Sequence, residues 1–322
     1  MASPLYSCFF FCATVFLFCT FAKAIQAQPS ALLLTIVNNC PFTIYPAIQP
    51  NAGQPVLEKG GFALQTLTHR SFPAPTAHWS GRIWARTGCT YSNAQFYCAT
   101  GDCGHRIECN GLGGATPMTL AQFSLHHGGE QDLSSYEVSL VDGFNLPMTV
   151  TPHEGKGVCP VVGCRANLLA TCPNELQLRS PAGNGPVVGC KSGCGAFGTD
   201  ELCCRNHYNS PETCKASSYS EFFKQACPAT FTYAHDSPSL MHDCSSPREL
   251  KAFFFVLLLR YCWDGSGAAG GQSLSADRFS VVLLFMGKIF SSSLPVAFGL
   301  LTKVPARRSL KITTYHGLLF VR

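Results

Sequence analysis

Hydrophobic and polar positions along this chain alternate over short stretches interrupted by Gly, Pro, Asn or Asp, and no long helical heptad pattern runs through it. Leu32 to Val37 is a β-branched and aliphatic run closed by Asn38, Asn39, Cys40 and Pro41, with Phe42 to Tyr45 beyond it. That pattern predicts two short strands joined by a turn. Similar segments at Phe62 to Leu67, Arg82 to Thr87, Thr119 to Leu125, Tyr136 to Val141, Met148 to Thr151 and Thr230 to Ala234 predict further strands. Short strands at this spacing argue for a mainly β fold built as a sandwich.

Two segments depart from the strand pattern. Nine cysteines lie between Cys159 and Cys227, among Gly-rich turns such as Pro181 to Pro186 and two helix-like stretches, Arg165 to Leu169 and Ser218 to Gln225. This predicts a second lobe, about 161–227, held more by covalent bridges than by a core. Cys89 to Cys109 packs four cysteines into 21 residues and reads as a small loop domain. Each short loop closed there contributes about 2–3 kcal/mol in the chain-entropy account. Sandwich segments are then expected at about 28–88, 110–160 and 228–251.

The chain carries 19 cysteines in 322 residues. A cytosolic chain would keep such thiols reduced, so the count points to disulfides in an oxidising compartment. Zinc is the rival use, but Cys203 and Cys204 are adjacent and no His stands at finger spacing. Cys8, Cys12 and Cys19 belong to an almost wholly apolar run, Phe9 to Phe21, followed by Ala22, Ala24 and Ala27. This reads as a secretory signal peptide within 1–27, cut near Ala24 or Ala27, since the apolar core is too short to span a bilayer. Sixteen cysteines remain after its removal.

Charge divides the chain. Met1 to Leu250 holds 14 Lys and Arg against 16 Asp and Glu, whereas Lys251 to Arg322 holds 9 against 2. The body is mildly acidic, so no nucleic-acid partner is expected despite the positive total.

Four separated motifs bring a family into view. Gly81-Arg82-Ile83-Trp84-Ala85-Arg86-Thr87-Gly88-Cys89, Cys98-Ala99-Thr100-Gly101-Asp102-Cys103-Gly104, Leu140-Val141-Asp142-Gly143-Phe144-Asn145-Leu146-Pro147-Met148 and Tyr233-Ala234-His235-Asp236 closely resemble the plant thaumatin-like proteins, a pathogenesis-related family. The resemblance covers about Ala31 to Lys251, with Ala94 standing where the family usually has Gly. It implies a β-sandwich core, a disulfide-rich helical lobe, a small disulfide-rich loop domain and a cleft between the first two. It also implies bridges pairing Cys89 with Cys98, Cys103 with Cys109, Cys159 with Cys244, Cys164 with Cys227, Cys172 with Cys190, Cys194 with Cys203 and Cys204 with Cys214. Cys40 would pair with the last cysteine of the fold, but Phe255 stands at that position here and Cys262 follows seven residues later. A Cys40 to Cys262 bridge therefore needs a loop-out or a bulge.

The family's acidic cleft is built from one Arg and four carboxylates. By motif, Arg82 matches the Arg, Gln122 in Leu120-Ala121-Gln122-Phe123 replaces a Glu, Glu137 and Asp142 match two Asp, and Asp236 matches the last. Glycosidic cleavage requires one protonated acid and one ionised carboxylate, and an amide supplies neither. The resemblance thus implies at most weak endo-β-1,3-glucanase activity, with Asp142 and Glu137 as the candidate catalytic pair. Each position also has a plainer reading: Asp142 capping a turn before Gly143, Arg82 in a structural ion pair, Glu137 on a solvated strand face, and Asp236 in a turn. Asp102, between Gly101 and Cys103, reads as a turn cap.

Phe96, Tyr97, Phe144 and Phe231 are candidates for sugar stacking, with core packing the commoner use of such residues. The histidines are scattered, and His126 and His127 point to opposite faces of a strand, so no metal site is expected. No Gly-rich phosphate loop and no flanked Ser-His-Asp signature appears, and no cofactor is expected.

Beyond Lys251 the family pattern stops, and 252–322 is expected to be disordered or poorly ordered. Val281 to Leu301 is long enough for a membrane span but contains Lys288, three serines and Pro295, and the chain continues past it through Arg307, Arg308 and Lys311. Membrane attachment is therefore disfavoured against a tail translated from non-coding or alternatively spliced sequence, or a soluble extension. The leading functional expectation is a secreted, monomeric apoplastic or cell-wall defence protein binding fungal β-1,3-glucan or another wall polysaccharide. An enzyme-inhibiting or protein-binding module and a structural wall protein are the alternatives.

Overall fold

The computed structural model describes residues 31–126, 132–180 and 185–255, together with two strands further on, Ile312–Tyr315 and Leu318–Val321. The expected signal peptide and Cys262 lie outside the described residues, as do His127 and the Val281 to Leu301 segment.

Two five-stranded sheets face one another across a single core. The first contains β1 (Leu33–Asn39), β3 (Thr68–Pro73), β9 (Met148–His153), β10 (Val162–Cys164) and β14 (Glu249–Phe255), in the order β10-β9-β14-β1-β3. The second contains β2 (Tyr45–Pro50), β4 (Trp79–Arg86), β7 (Leu120–Leu125), β8 (Leu133–Ser139) and β13 (His242–Ser245), in the order β13-β8-β7-β4-β2. Along β14 burial alternates strictly: Leu250, Ala252 and Phe254 enter the core while Lys251 and Phe253 face outward. From the opposing sheet, Trp79, Ile83, Ala121, Phe123, Tyr136 and Val138 meet them. Each large aliphatic or aromatic side chain among them, fully buried, contributes about 1.5–3 kcal/mol.

β14 lies between β9 and β1, antiparallel to the former and parallel to the latter, with Leu34 opposite Leu250 and Ile36 opposite Ala252. The strand thus runs to Phe255, past the boundary drawn at Lys251. At the other side, β10 places Val162–Cys164 in the sandwich, although the cysteine-rich texture placed those residues in the lobe.

Three predicted strands differ from expectation: Phe42 to Tyr45 supplies only the Ile44 bridge and the first residue of β2, which runs on to Pro50, and side chains explain the other two. In Phe62 to Leu67 only Leu64 forms a β-bridge, to Ile44, whose N–H shares the Leu64 carbonyl with the buried Asn38 amide; the ladder stops at Gln65, where the same amide donates to the carbonyl. The strand begins instead at Thr68. In Thr230 to Ala234 only Phe231 forms a bridge, to Ser139, and the chain then turns about Asp236.

The lobe contains the hairpin β11 (Gln177–Arg179) and β12 (Val187–Cys190) and three helices: α1 (Gly193–Phe197), α2 (Asp200–Cys203) and α3 (Ser218–Ala226). Ser217 caps α3, its hydroxyl accepting from Ser220 N while Ser220 Oγ accepts from Ser217 N. The predicted helix at Arg165 to Leu169 is a single 3-10 turn, Leu168–Ala170, capped by Asn167. Bridges Cys164–Cys227, Cys172–Cys190, Cys194–Cys203 and Cys204–Cys214 staple this lobe, and Cys159–Cys244 joins its approach to β13. Phe144, Leu168, Leu176 and Phe223 fill a small core of its own.

The loop domain contains the hairpin β5 (Thr90–Ser92) and β6 (Gln95–Tyr97) and the bridges Cys89–Cys98 and Cys103–Cys109. These seven bridges are, pair by pair, those the resemblance implies. Arg86, 0% exposed, ties the domain to the sandwich by donating to the carbonyls of Tyr45, Arg106 and Ile107 at 2.9, 2.7 and 2.7 Å. Burial pulls its guanidinium pKa down to about 10, with the Asp102 and Tyr45 charges opposing.

Further along the chain, β15 (Ile312–Tyr315) pairs antiparallel with β16 (Leu318–Val321).

Candidate functional site

The outer face of the second sheet carries the motif-matched polar side chains, because alternation sends every second side chain of β4, β7 and β8 away from the core. Arg82, Gln122 and Glu137 are direct partners across these strands. Asp142 follows β8 in a turn closed by Gly143 N donating to Leu140 O at 2.9 Å. Gly143 has φ +91°, and a Cβ there would come within 2.6 Å of the Cys190 carbonyl, so only glycine lets this turn seat against the lobe. Asp236 arrives from the turn beyond Phe231. All five positions line one cavity of about 690 Å³, with Phe231, Tyr233 and Met241 among its other walls.

Their environments differ. Glu137 is buried, and desolvation raises its pKa above the ordinary carboxylate value, opposed by a hydrogen bond from Gln122 Nε2 and by the Arg82 charge. Desolvation also raises Asp142, again opposed by Arg82. Asp236 is depressed. Burial pushes it up, but Lys224 Nζ at 2.6 Å, the Thr232 and Ser237 backbone N–H groups, and the Lys224 charge together outweigh that. Thr232 Oγ1 donates to the same carboxylate at 3.1 Å, so Asp236 fixes its turn as well as lining the cavity.

Lys224 and Tyr233 were not singled out from the sequence. Lys224 stands in the last turn of α3, where a basic residue has an ordinary explanation in the helix dipole, and nothing local points to Asp236. Of the aromatic candidates, Phe231 lines the cavity, whereas Phe96 and Phe144 are 3% and 0% exposed and pack inside. Tyr97 stacks on His105 in the loop domain, with ring centroids 4.2 Å apart. Asp102 acts as a turn cap, accepting from Cys98, Gly104 and His105 N at 2.8 Å each.

The family model of the thaumatin family matches residues 38–256, which take in both sheets almost whole, the loop domain and the lobe. The chain belongs to the thaumatin family. An osmotin-like protein of Solanum lycopersicum is 76% identical to it over 229 residues, spanning 71% of this chain and 90% of that protein. A Prunus avium member, glucan endo-1,3-beta-glucosidase, is 44% identical over 217 residues, 67% of this chain and 86% of that one. Among solved structures, the thaumatin-like xylanase inhibitor aligns over 69% of this chain and 97% of its own at 24% identity, with a TM-score of 0.38. The thaumatin family match ends at residue 256, one past the end of β14.

Proposed function

We propose that this member of the pathogenesis-related thaumatin family is a secreted defence protein that binds β-1,3-glucan of fungal walls in the cavity lined by Arg82, Glu137, Asp142 and Asp236, with weak or no hydrolysis. The convergence of five motif-matched positions on one cavity of about 690 Å³ carries the reading. Sugar hydroxyls both donate and accept, so carboxylates and a guanidinium on one wall suit them, and the Phe231 and Tyr233 side chains offer apolar faces to the ring C–H groups. The name of the Prunus avium relative supports a β-1,3-glucan as ligand. Seven disulfides and the apolar N-terminal run support secretion.

Weak hydrolysis follows from the charges. Cleavage needs one protonated and one ionised carboxylate flanking the bond. Gln122 offers neither, Asp236 is held by Lys224, and Glu137 and Asp142 are raised alike by desolvation, without the opposed environments that divide an acid from a base. Pull-down on insoluble β-1,3-glucan tests the reading: retention is expected for the native protein and about tenfold weaker retention for Asp142→Ala. A native protein that stays in the supernatant overturns it.

A further inference from the structure

A second cavity of about 270 Å³ opens onto the same outer sheet face and shares Gln122, Glu137 and Met241 with the larger one. Its floor is a row of serines. Ser80, Ser124 and Ser135 are direct partners across β4, β7 and β8, one residue pair further along the strands than Arg82, Gln122 and Glu137 on the same face. The two rows are therefore about 7 Å apart, a step on the scale of one pyranose ring.

Each hydroxyl is already oriented. Asn51 Nδ2 donates to Ser80 Oγ at 3.0 Å, which leaves the Ser80 O–H free to donate upward. Ser135 Oγ donates to Asp243 and keeps its lone pairs to accept. Ser124 Oγ is held at 3.0 Å from His78 Nε2. The row thus presents a donor on β4 and an acceptor on β8, one on each side of β7, a pattern that neutral polyols match and that anions do not, since Glu137 and Asp243 flank it. Met241, 51% exposed, adds a flexible apolar wall at the junction of the two cavities.

We infer that this serine row is a distal subsite for a further sugar of an uncharged, linear oligosaccharide, whose chain runs from the carboxylate-lined cavity outward over the sheet. The inference rests on the glucan reading above. It predicts an affinity that depends on chain length.

Calorimetry with a series of β-1,3-linked gluco-oligosaccharides tests it. The native protein is expected to gain affinity once the chain is long enough to cover both cavities. Ser80→Ala/Ser135→Ala is expected to lose about tenfold for the long chains and nothing for the short ones. Asp142→Ala is expected to weaken every length. If the double serine variant matches the native protein at every length, the subsite is overturned while the glucan reading stands. If the native protein binds no length, both fall. Alanine at half-buried serines preserves the fold, and Ser80→Ala alone repeats the test with a single lost donor.

Discussion

Gln122 donates a hydrogen bond from its side-chain amide to the Glu137 carboxylate directly across β7 and β8, so the position where the family has an acid here steadies its neighbour's charge. Gln122→Glu would replace that bond with two carboxylates face to face, which cannot both ionise cheaply. The variant is expected to melt about 2–4 °C lower at neutral pH, roughly 1 kcal/mol, with the difference closing on acidification. Laminarin hydrolysis should rise above the native level. Unchanged hydrolysis would show that the amide is not what limits cleavage.

Glu137 itself sets a pH dependence. Its folded pKa lies above the ordinary 4.5, so its contribution to stability is fully present below that value and is lost as pH rises through the folded pKa. Asp142 acts with the same sign from its ordinary value of 3.8 upward. Glu137→Gln removes the first of these, keeping an acceptor for Gln122. Melting curves between pH 4 and 7 should converge with the native protein at the acid end and lie about 2–4 °C above it at neutrality.

Asp236 has the opposite sign. Its folded pKa is lowered below 3.8, so the stability it supplies is present above that value and fades as pH falls through the folded pKa. Asp236→Ala removes the ion pair with Lys224 and the Thr232 and Ser237 bonds together, and is expected to cost about 2 kcal/mol at neutral pH. Asp236→Asn should recover part of that, because an amide oxygen still accepts from Thr232. If Asp236→Ala melts with the native protein while losing glucan retention, the turn-holding role is wrong and the carboxylate serves the ligand alone.

Asn93 and Ala94 join β5 to β6 with φ values of +50° and +64°. Two positive values in a two-residue hairpin turn favour Asn followed by Gly, and Ala in the left-handed region costs about 1 kcal/mol. Ala94→Gly is expected to slow amide exchange in the hairpin by about fivefold. Faster exchange would place the gain in unfolded-chain entropy above the relief of strain.

The strands of the second sheet are legible because burial alternates over Trp79 to Ile83 of β4 and Ala121 to Leu125 of β7, with Ile83 and Phe123 buried and Arg82 and Gln122 turned outward. Phe62 to Leu67 misleads because its hydrophobicity is genuine, Phe62 and Leu64 being buried, yet beyond Leu64 the Gln65 carbonyl is held by the Asn38 amide and by Thr68 rather than by a strand partner. The site depends on motif correspondence in a way that pattern cannot supply. Asp236 alone reads as a turn residue, and it is one, but its approach to Arg82, Glu137 and Asp142 comes from the Phe231 bridge to Ser139. Lys224 was illegible because its partner is set by how α3 docks. The serine row escaped notice for a related reason: Ser80, Ser124 and Ser135 lie far apart in the chain and meet only through register.

The parallel pairing of β1 with β14 has a consequence for biogenesis. β14 fills the middle of its sheet, so during synthesis the β1–β3 pair must wait beside an open slot while about 175 residues beyond Pro73 emerge, with the Leu34 and Ile36 edge uncovered meanwhile. The sandwich closes from its centre and closes late, which makes the arrival of a single seven-residue strand the step at which a newly made chain stops being a client for chaperones and becomes a finished protein.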